Sequence, residues 1–385
     1  MKRNIPVKLL VISLLALSFN VKAQENELNA IQTVVPFLTI APDSRAGAMG
    51  DVGAATSPDI FSMHWNPAKY AFIDGEGGFG IGYSPWLRSL ISDINISYLS
   101  GYYRIDDKQV VSASLLYSSL GEILFTDNVG NEMMVFRANE FSIDGAYSRK
   151  LSKEFSGAIA LRFIYSNLTG GHYTGTTETK PGISFAADVS FYYIKEIRIS
   201  GKDAEISAGT NLSNLGAKMS YTDGDDPDFI PMNFKLGGGT SIFLDRYNKL
   251  GVFIDLNKLL VPTPPLRDIE GNIVDGKDPN VSVPVAIFQS FADAPGGFKE
   301  EMREISYSLG LEYIYNRQFA LRGGYFHEHA SKGNRKYFTA GAGLKMSVFS
   351  LDFSYLMPVV SNHPLARTLR FSLSFDFDAF RSIKS

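Results

Sequence analysis

The 385-residue chain contains no cysteine. Small exported domains commonly depend on disulfides, so this protein draws its stability from elsewhere. Histidine is scarce, at five scattered residues, and tryptophan scarcer, at two. A basic excess is missing as well: 37 Lys and Arg stand against 40 Asp and Glu. That balance argues against nucleic-acid binding, which wants a basic surface. Beyond the first residues no segment reaches about 18 consecutive apolar positions, so no helix is expected to span a membrane. The glycines at 237–239, 323–324 and 341/343 match neither a phosphate-binding nor a dinucleotide pattern. No Ser-His-Asp triad can be assembled without guessing. The chain is therefore read as a non-enzyme that needs no cofactor and no metal.

What is present begins with a leader. Lys2 and Arg3 give a positive start, and Val7 to Phe19 is largely apolar. Val21-Lys22-Ala23 then supplies small residues at the usual cleavage positions. Residues 1–23 read as a secretory signal peptide, too short and wrongly flanked for a spanning helix. Four of the 37 basic residues lie in it (Lys2, Arg3, Lys8, Lys22), so the mature chain is more acidic than the whole-chain net charge of −3. The composition holds 35 Gly, 28 Phe and 19 Tyr. Export, abundant glycine and abundant aromatics together suggest an outer-membrane barrel, which needs tight turns and aromatic girdles.

From about residue 77 onward the period is two. Near the end, Leu369, Phe371, Leu373, Phe375 and Phe377 share one face, and Thr368, Arg370, Ser372, Ser374, Asp376 and Asp378 the other. About ten residues cross a bilayer at a ~45° tilt, and such runs recur. They are expected at 77–84, 92–104, 109–119, 136–149, 155–168, 182–194, 204–213, 232–244, 248–258, 303–315, 318–328, 336–346, 349–357 and 367–378. That makes an all-β membrane protein, a 14-stranded antiparallel transmembrane β-barrel spanning 77–385, with an even strand number as bacterial barrels require. Connections alternate between short and long, the one after the sixth strand being somewhat longer than the other short ones. Short turns mark the periplasmic rim, so both chain ends are expected there and seven loops outside.

The longest loop, about 259–302, opens with Pro/Gly/Asp turn chemistry. It then carries an apolar patch: Val281, Val283, Val285, Ile287, Phe288 and Phe291. Such a patch either folds inward over the barrel mouth or docks a partner. Two polar clusters are candidates for metal binding. His327-Glu328-His329 sets imidazoles at i and i+2 on a strand face without a third ligand, and reads as an exposed strand end. The acidic run from Asp223 to Asp228 lacks a glycine at the calcium-loop position and the terminal glutamate of such a loop, and reads as a solvated outer loop.

The stretch "APDSRAGAMGDVGAATSPDIFSMHWNPAKYAF", from Ala41 to Phe72, has neither period. It packs small residues around isolated polar ones. The strand behind it alternates Gly78, Gly80 and Gly82 with Phe79, Ile81 and Tyr83, leaving one face without side chains. Something must approach the wall closely there. Residues 24–76 are the natural occupant, as an N-terminal hatch inside the lumen. Its small residues allow tight packing, Pro42 and Pro67 fix turns, and Asp43, Arg45, Asp51 and Asn66 are expected to pair with the polar luminal face.

"NPA" (Asn66-Pro67-Ala68), after a Gly/Ala-rich segment and before the first strand, resembles the hatch of the FadL-like outer-membrane barrels. The fuller string "TIAPDSRAGAMGDVGAATSPD…HWNPAKYAF" is similar to the PorV (LptO) family of the Bacteroidota type IX secretion system. The resemblance implies a fourteen-stranded barrel with an N-terminal plug and non-enzymatic work. Its implied partners are a SprA-type translocon barrel, the C-terminal signal domains of cargo, a PorU-type sortase and outer-membrane lipid or lipopolysaccharide. The second family name implies a link to lipopolysaccharide deacylation, for which no nucleophile can be defended here. The hatch residues that carry over are Pro42, Asp43, Arg45, Gly47, Gly50, Asp51, Asn66, Pro67 and Ala68, all in structural roles. Two other readings remain at this point: a FadL-type channel for hydrophobic small molecules, and a lipid-modifying enzyme. Polar inward positions such as Ser184, Asp188, Ser190, Ser372, Ser374 and Asp376 favour a plugged barrel acting through its outer loops.

Overall fold

A computed structural model describes residues 28–87, 93–126, 129–171, 173–174, 177–224, 226–360 and 363–377. The expected signal peptide, the first residues of the expected hatch and Asp378 lie outside the described residues.

Side-chain alternation explains the wall. In adjacent strands the outward row Ile81, Leu99, Leu115, Ile143, Phe163 and Phe185 runs across five pairings. The neighbouring inward row reads Gly80, Ser100, Ser114, Asp144, Arg162 and Ala186. One row faces apolar solvent and the next faces a polar interior, which is the signature of a barrel in lipid. The strands along the chain are β1 (Gly77–Pro85), β2 (Asn95–Arg104), β3 (Gln109–Thr126), β4 (Glu132–Lys150) and β5 (Phe155–Asn167). A small ribbon of β6 (Tyr173–Thr174) and β7 (Thr177–Glu178) follows, then β8 (Gly182–Ile199), β9 (Lys202–Gly216), β10 (Asn233–Phe243) and β11 (Asn248–Leu259). A second ribbon, β12 (Leu266–Arg267) and β13 (Ile273–Asp275), precedes β14 (Ser306–Tyr315), β15 (Phe319–His327), β16 (Lys336–Lys345), β17 (Phe349–Pro358) and β18 (Leu369–Asp376). Apart from the ribbons, these fourteen strands close into one antiparallel barrel, sealed where β1 pairs with β18. No backbone edge is left to lipid, which could not satisfy one.

Two expected boundaries move. The hairpin of β3 and β4 continues past 119 and begins before 136, through a register shift between Ser119 and Glu122. Its upper part loses the alternation because both faces are wet, and Glu122 pairs there with Arg137 at 2.6 Å. The connection expected to be longer after the sixth strand is instead strand plus a two-residue turn. Ser200 and Gly201 both take positive φ (52° and 80°), the geometry of a tight hairpin turn.

The remaining short turns lie on the same rim as Gly77 and Asp376, and the long loops lie on the other. Residues 28–76 thread the lumen between the two rims. At the long-loop rim the Asn29 side chain donates to Glu300 (3.0 Å) and to the Pro264 carbonyl (3.2 Å). At the short-turn rim Tyr102 donates to the Asp74 carbonyl at 2.9 Å. Asn29 and Asp376 therefore sit at opposite ends of the barrel. The expectation that both ends of the chain share the periplasmic rim does not describe the start of the described chain, because the segment runs lengthwise through the lumen.

Candidate functional site

The luminal segment is built from short caps rather than long helices. Asp43 is the N-cap of a single turn, Ser44–Gly47, and accepts from the Ala46 amide (2.9 Å) and the Trp65 indole (2.6 Å). Both donors belong to the same segment. The expectation that Asp43 pairs with the luminal wall is thus corrected: it ties the segment to itself. Burial, with Asp59 adding to it, pushes the Asp43 carboxyl up to about 6. Burial lowers Lys69 to about 8 even though Asp59 opposes the shift. Asn66 caps the next turn, Pro67–Phe72, by accepting from the Ala68 amide at 3.1 Å, and Pro67 supplies the fixed φ of its first position. The Asn66 amide reaches the Ala54 carbonyl (2.9 Å) and the Phe191 carbonyl in the wall (3.0 Å).

Bare backbone in the wall receives this segment. A Cβ added at Gly80 would lie 2.7 Å from the Phe61 ring, and one at Gly82 would run into the Pro42 carbonyl. The same holds elsewhere around the barrel: Gly310 faces Met49, Gly324 faces the Met49–Gly50 peptide, Gly341 faces Ala48, and Gly209 and Gly237 face Ala54. Hydroxyls fill the gaps between glycines. Thr339 accepts from the Gly50 amide (2.8 Å) and donates to the Ala48 carbonyl (2.9 Å). Ser148 and Ser156 donate to the Pro67 and Ala68 carbonyls at 2.8 and 2.7 Å.

Three charge contacts lock the fit. Arg45 bridges Asp59 of its own segment (2.7 Å) and Glu312 of β14 (3.0 Å), and Arg322 of β15 completes the set at 2.8 Å from Glu312. Asp255 of β11 accepts from the successive amides of Gly53 and Ala54, at 2.8 and 3.0 Å. Asp51 accepts from the Tyr337 hydroxyl at 2.5 Å and lies 3.4 Å from Arg370, whose guanidinium also reaches the Gly47 carbonyl. Gly47 and Gly50 have different reasons to be glycine. A Cβ at Gly47 would meet the Arg370 side chain at 2.5 Å, whereas Gly50 has φ +69° and lies against the backbone of Tyr325 at 2.7 Å.

Above the segment is a cavity of about 320 Å³, lined by groups that include Asp51, His64, Lys235, Asp255, Glu304 and Arg335. Its lining is mixed, with Ile31, Leu38, Trp65, Leu259 and Phe326 set among those charged groups. Lys235 lies over the Trp65 ring at 4.4 Å.

The outer patch of the long loop divides. Val283–Gln289 folds as a short helix with Pro284 in its first turn. Val281, Val283 and Ile287 pack onto the upper luminal core with Val35, Leu260 and Val261. Val285 (49% exposed), Phe288 (79%) and Phe291 (51%) face outward. One helix thus realises both expectations, the inward fold and the open surface. A charge cluster fastens the loop: Lys258 lies 2.6 Å from Glu304, Lys332 lies 3.0 Å from Glu304, and Thr263 donates to Glu304 at 2.6 Å. Sequence reasoning missed Phe298 (81% exposed), and Ile269 and Val274 on the β12–β13 ribbon. An isolated apolar residue inside an Asp/Gly turn was the only available signal.

Among the described residues, the two polar clusters do not come together as ligand sets. His327 ends β15 and stacks on Tyr307 at 4.6 Å, while His329 caps the turn Ala330–Lys332, so the two do not share a strand face. Glu328 between them pairs with Arg335 at 2.8 Å. In the acidic run, Asp223 pairs with Lys180.

The region from residue 22 to 266 matches the model of a family described as "Type IX secretion system protein PorV". The chain belongs to the PorV family. It is accordingly an outer-membrane component of the type IX secretion system, in a family of transport components rather than enzymes. The match ends inside the long loop, so the loop helices and β14–β18 lie beyond it. No curated protein sequence matches the chain. Among solved structures, the Pseudomonas putida toluene transporter TodX is similar at 11% identity and a TM-score of 0.49, over 90% of this chain and 98% of that one. The Ralstonia pickettii toluene transporter TbuX is similar at 11% identity and 0.44, over 90% and 97%. A Pseudomonas aeruginosa FadL homologue is similar at 10% identity and 0.42, over 90% and 99%.

Proposed function

We propose that this PorV-family barrel is a plugged, non-enzymatic receiver of exported cargo. It binds the C-terminal signal domain of cargo at a SprA-type translocon and delivers it to a PorU-type sortase at the cell surface. The observation that supports this reading best is the seating of residues 41–72 on a wall of glycine and hydroxyls, locked by Arg45–Glu312, Asp255 and Asp51. A lumen closed in this way leaves the outer loops as the working surface. Val285 and Phe288 stand out there as unpaired apolar area. The competing reading, a channel for hydrophobic small molecules, needs a continuous apolar passage, and the luminal cavity instead sets Asp51, Lys235, Asp255, Glu304 and Arg335 among its apolar residues.

The test is a mild-detergent pull-down of the tagged protein, with the co-purifying chains identified. The reading expects a giant barrel or C-terminal cargo domains. A Val285→Ser, Phe288→Ser double variant should then lose association while the barrel stays inserted. Each buried aliphatic or aromatic side chain is worth roughly 1.5–3 kcal/mol, so losing two weakens a contact by about a hundredfold or more. A bare monomer carrying bound lipid would favour the channel.

A further inference from the structure

Strand β11 alternates Ile254 and Leu256 outward with Asp255 and Asn257 inward, which places Lys258 on the outward face. A lysine facing lipid is costly. Lys258 is buried instead, because the helix Phe298–Arg303 folds back over the outside of the wall and brings Glu301 to 3.1 Å and Glu304 to 2.6 Å. The helix therefore lies outside the barrel, beside the upper ends of β10 and β11.

A cavity of about 230 Å³ remains between helix and wall. Phe234, Leu236 and Leu256 line it from the wall, and Phe291, Phe298 and Met302 from the loop. Its lining is almost wholly apolar. Leu256 pairs with Tyr307 on β14, so the wall side continues the lipid-facing belt without a break.

We propose that this cavity seats one acyl chain of an outer-leaflet lipid. Water gains no hydrogen bonds in such a space, and the apolar filler present on the membrane face is the lipid chain. Left unfilled, Phe298 and Met302 lose their contacts on one side. Lipid tails are as apolar as leucine, so the selectivity comes from shape and residence rather than from a hydrophobic gain. Lys299 and Arg303 lie on the adjoining flank of the helix and form no ion pair among the described residues. They place positive charge beside the cavity, as a lipid phosphate requires. A seated chain props the helix against the wall and ties the long loop to the plane of the membrane.

The experiment uses full-length protein in nanodiscs containing a phospholipid with a diazirine on its acyl chain. After photolysis, adducts on Phe291, Phe298 or Met302 should exceed those on ordinary lipid-facing positions such as Leu321 and Leu351 by about tenfold, equivalent to 1.4 kcal/mol. Leu256→Trp fills the cavity and Phe298→Ser opens it. Both should bring loop adducts down to the level at Leu321, with heat-modifiability on gels confirming a folded barrel. Loop labelling equal to Leu321 in the parent protein, or unchanged in both variants, overturns the proposal. So does cross-linking of this site in native membranes to a protein chain instead of lipid.

Discussion

The hatch and the long outer loop are both irregular segments anchored to the same barrel, yet they are held in opposite ways. The hatch meets its support on every side: Gly82 faces the Pro42 carbonyl, Gly324 the Met49–Gly50 peptide, and Arg45 spans two elements. The loop is fastened along one edge, by Lys258, Glu304 and Lys332, and leaves Val285 and Phe288 in the open. A segment of small residues can press backbone against backbone, which fixes it. A segment with large apolar residues and one polar edge stays available to another surface. The first is built to stay and the second to meet something.

Gly50→Val should break that comparison most severely. It places a branched side chain at φ +69° and 2.7 Å from the Tyr325 backbone, which cannot give way. Barrel assembly should fail, read as loss of the heat-modifiable band. Gly47→Val pushes on the Arg370 side chain instead, and should cost about 1–3 kcal/mol. His327→Ala, at the outer rim, should change neither. Normal folding of both glycine variants would refute the tight seat.

Glu312→Gln should rank between these two glycine variants. It leaves Arg45 and Arg322 buried without their shared carboxylate, a loss of about 3–5 kcal/mol where buried pairs are broken. The expected outcome is an inserted barrel whose hatch becomes protease-sensitive. Unchanged resistance would mean that the glycine contacts alone hold the segment.

The loop should respond to pH, with a smaller effect. Burial, reinforced by Glu301 and Glu304, raises Asp293 from 3.8 to about 6. The folded loop therefore holds its proton more tightly than the unfolded loop does. That stabilisation is complete below about 3.8 and is lost as pH rises through 6, on the order of 1 kcal/mol. Amide exchange in residues 286–304, corrected for intrinsic rates, should be slower at pH 5 than at pH 8. Asp293→Asn should remove the difference.

Much of the wall was legible because period-two alternation survives wherever one face is lipid and the other polar. It failed at 120–126, 132–135 and 195–199, where the strands run on past the bilayer and both faces are wet. Gly78, Gly80 and Gly82 announced a close approach, but Gly209, Gly237, Gly310, Gly324 and Gly341 did not disclose what faces them. A missing side chain reports vacancy, not its occupant. The reach of Arg45 to Glu312 crosses most of the chain and has no local signal. The helix Val283–Gln289 escaped notice because valines at 281, 283 and 285 alternate, and seven residues are too few to show a helical period.

The central claim is that the hatch stays seated while the outer loop meets partners. Photocross-linking in living, secreting cells tests it most directly, with p-benzoylphenylalanine at Phe288 and, separately, at Phe61. The account predicts adducts from Phe288 to the translocon or to cargo, and from Phe61 only to the protein's own barrel wall. Cargo cross-linked at Phe61, with none at Phe288, would contradict it.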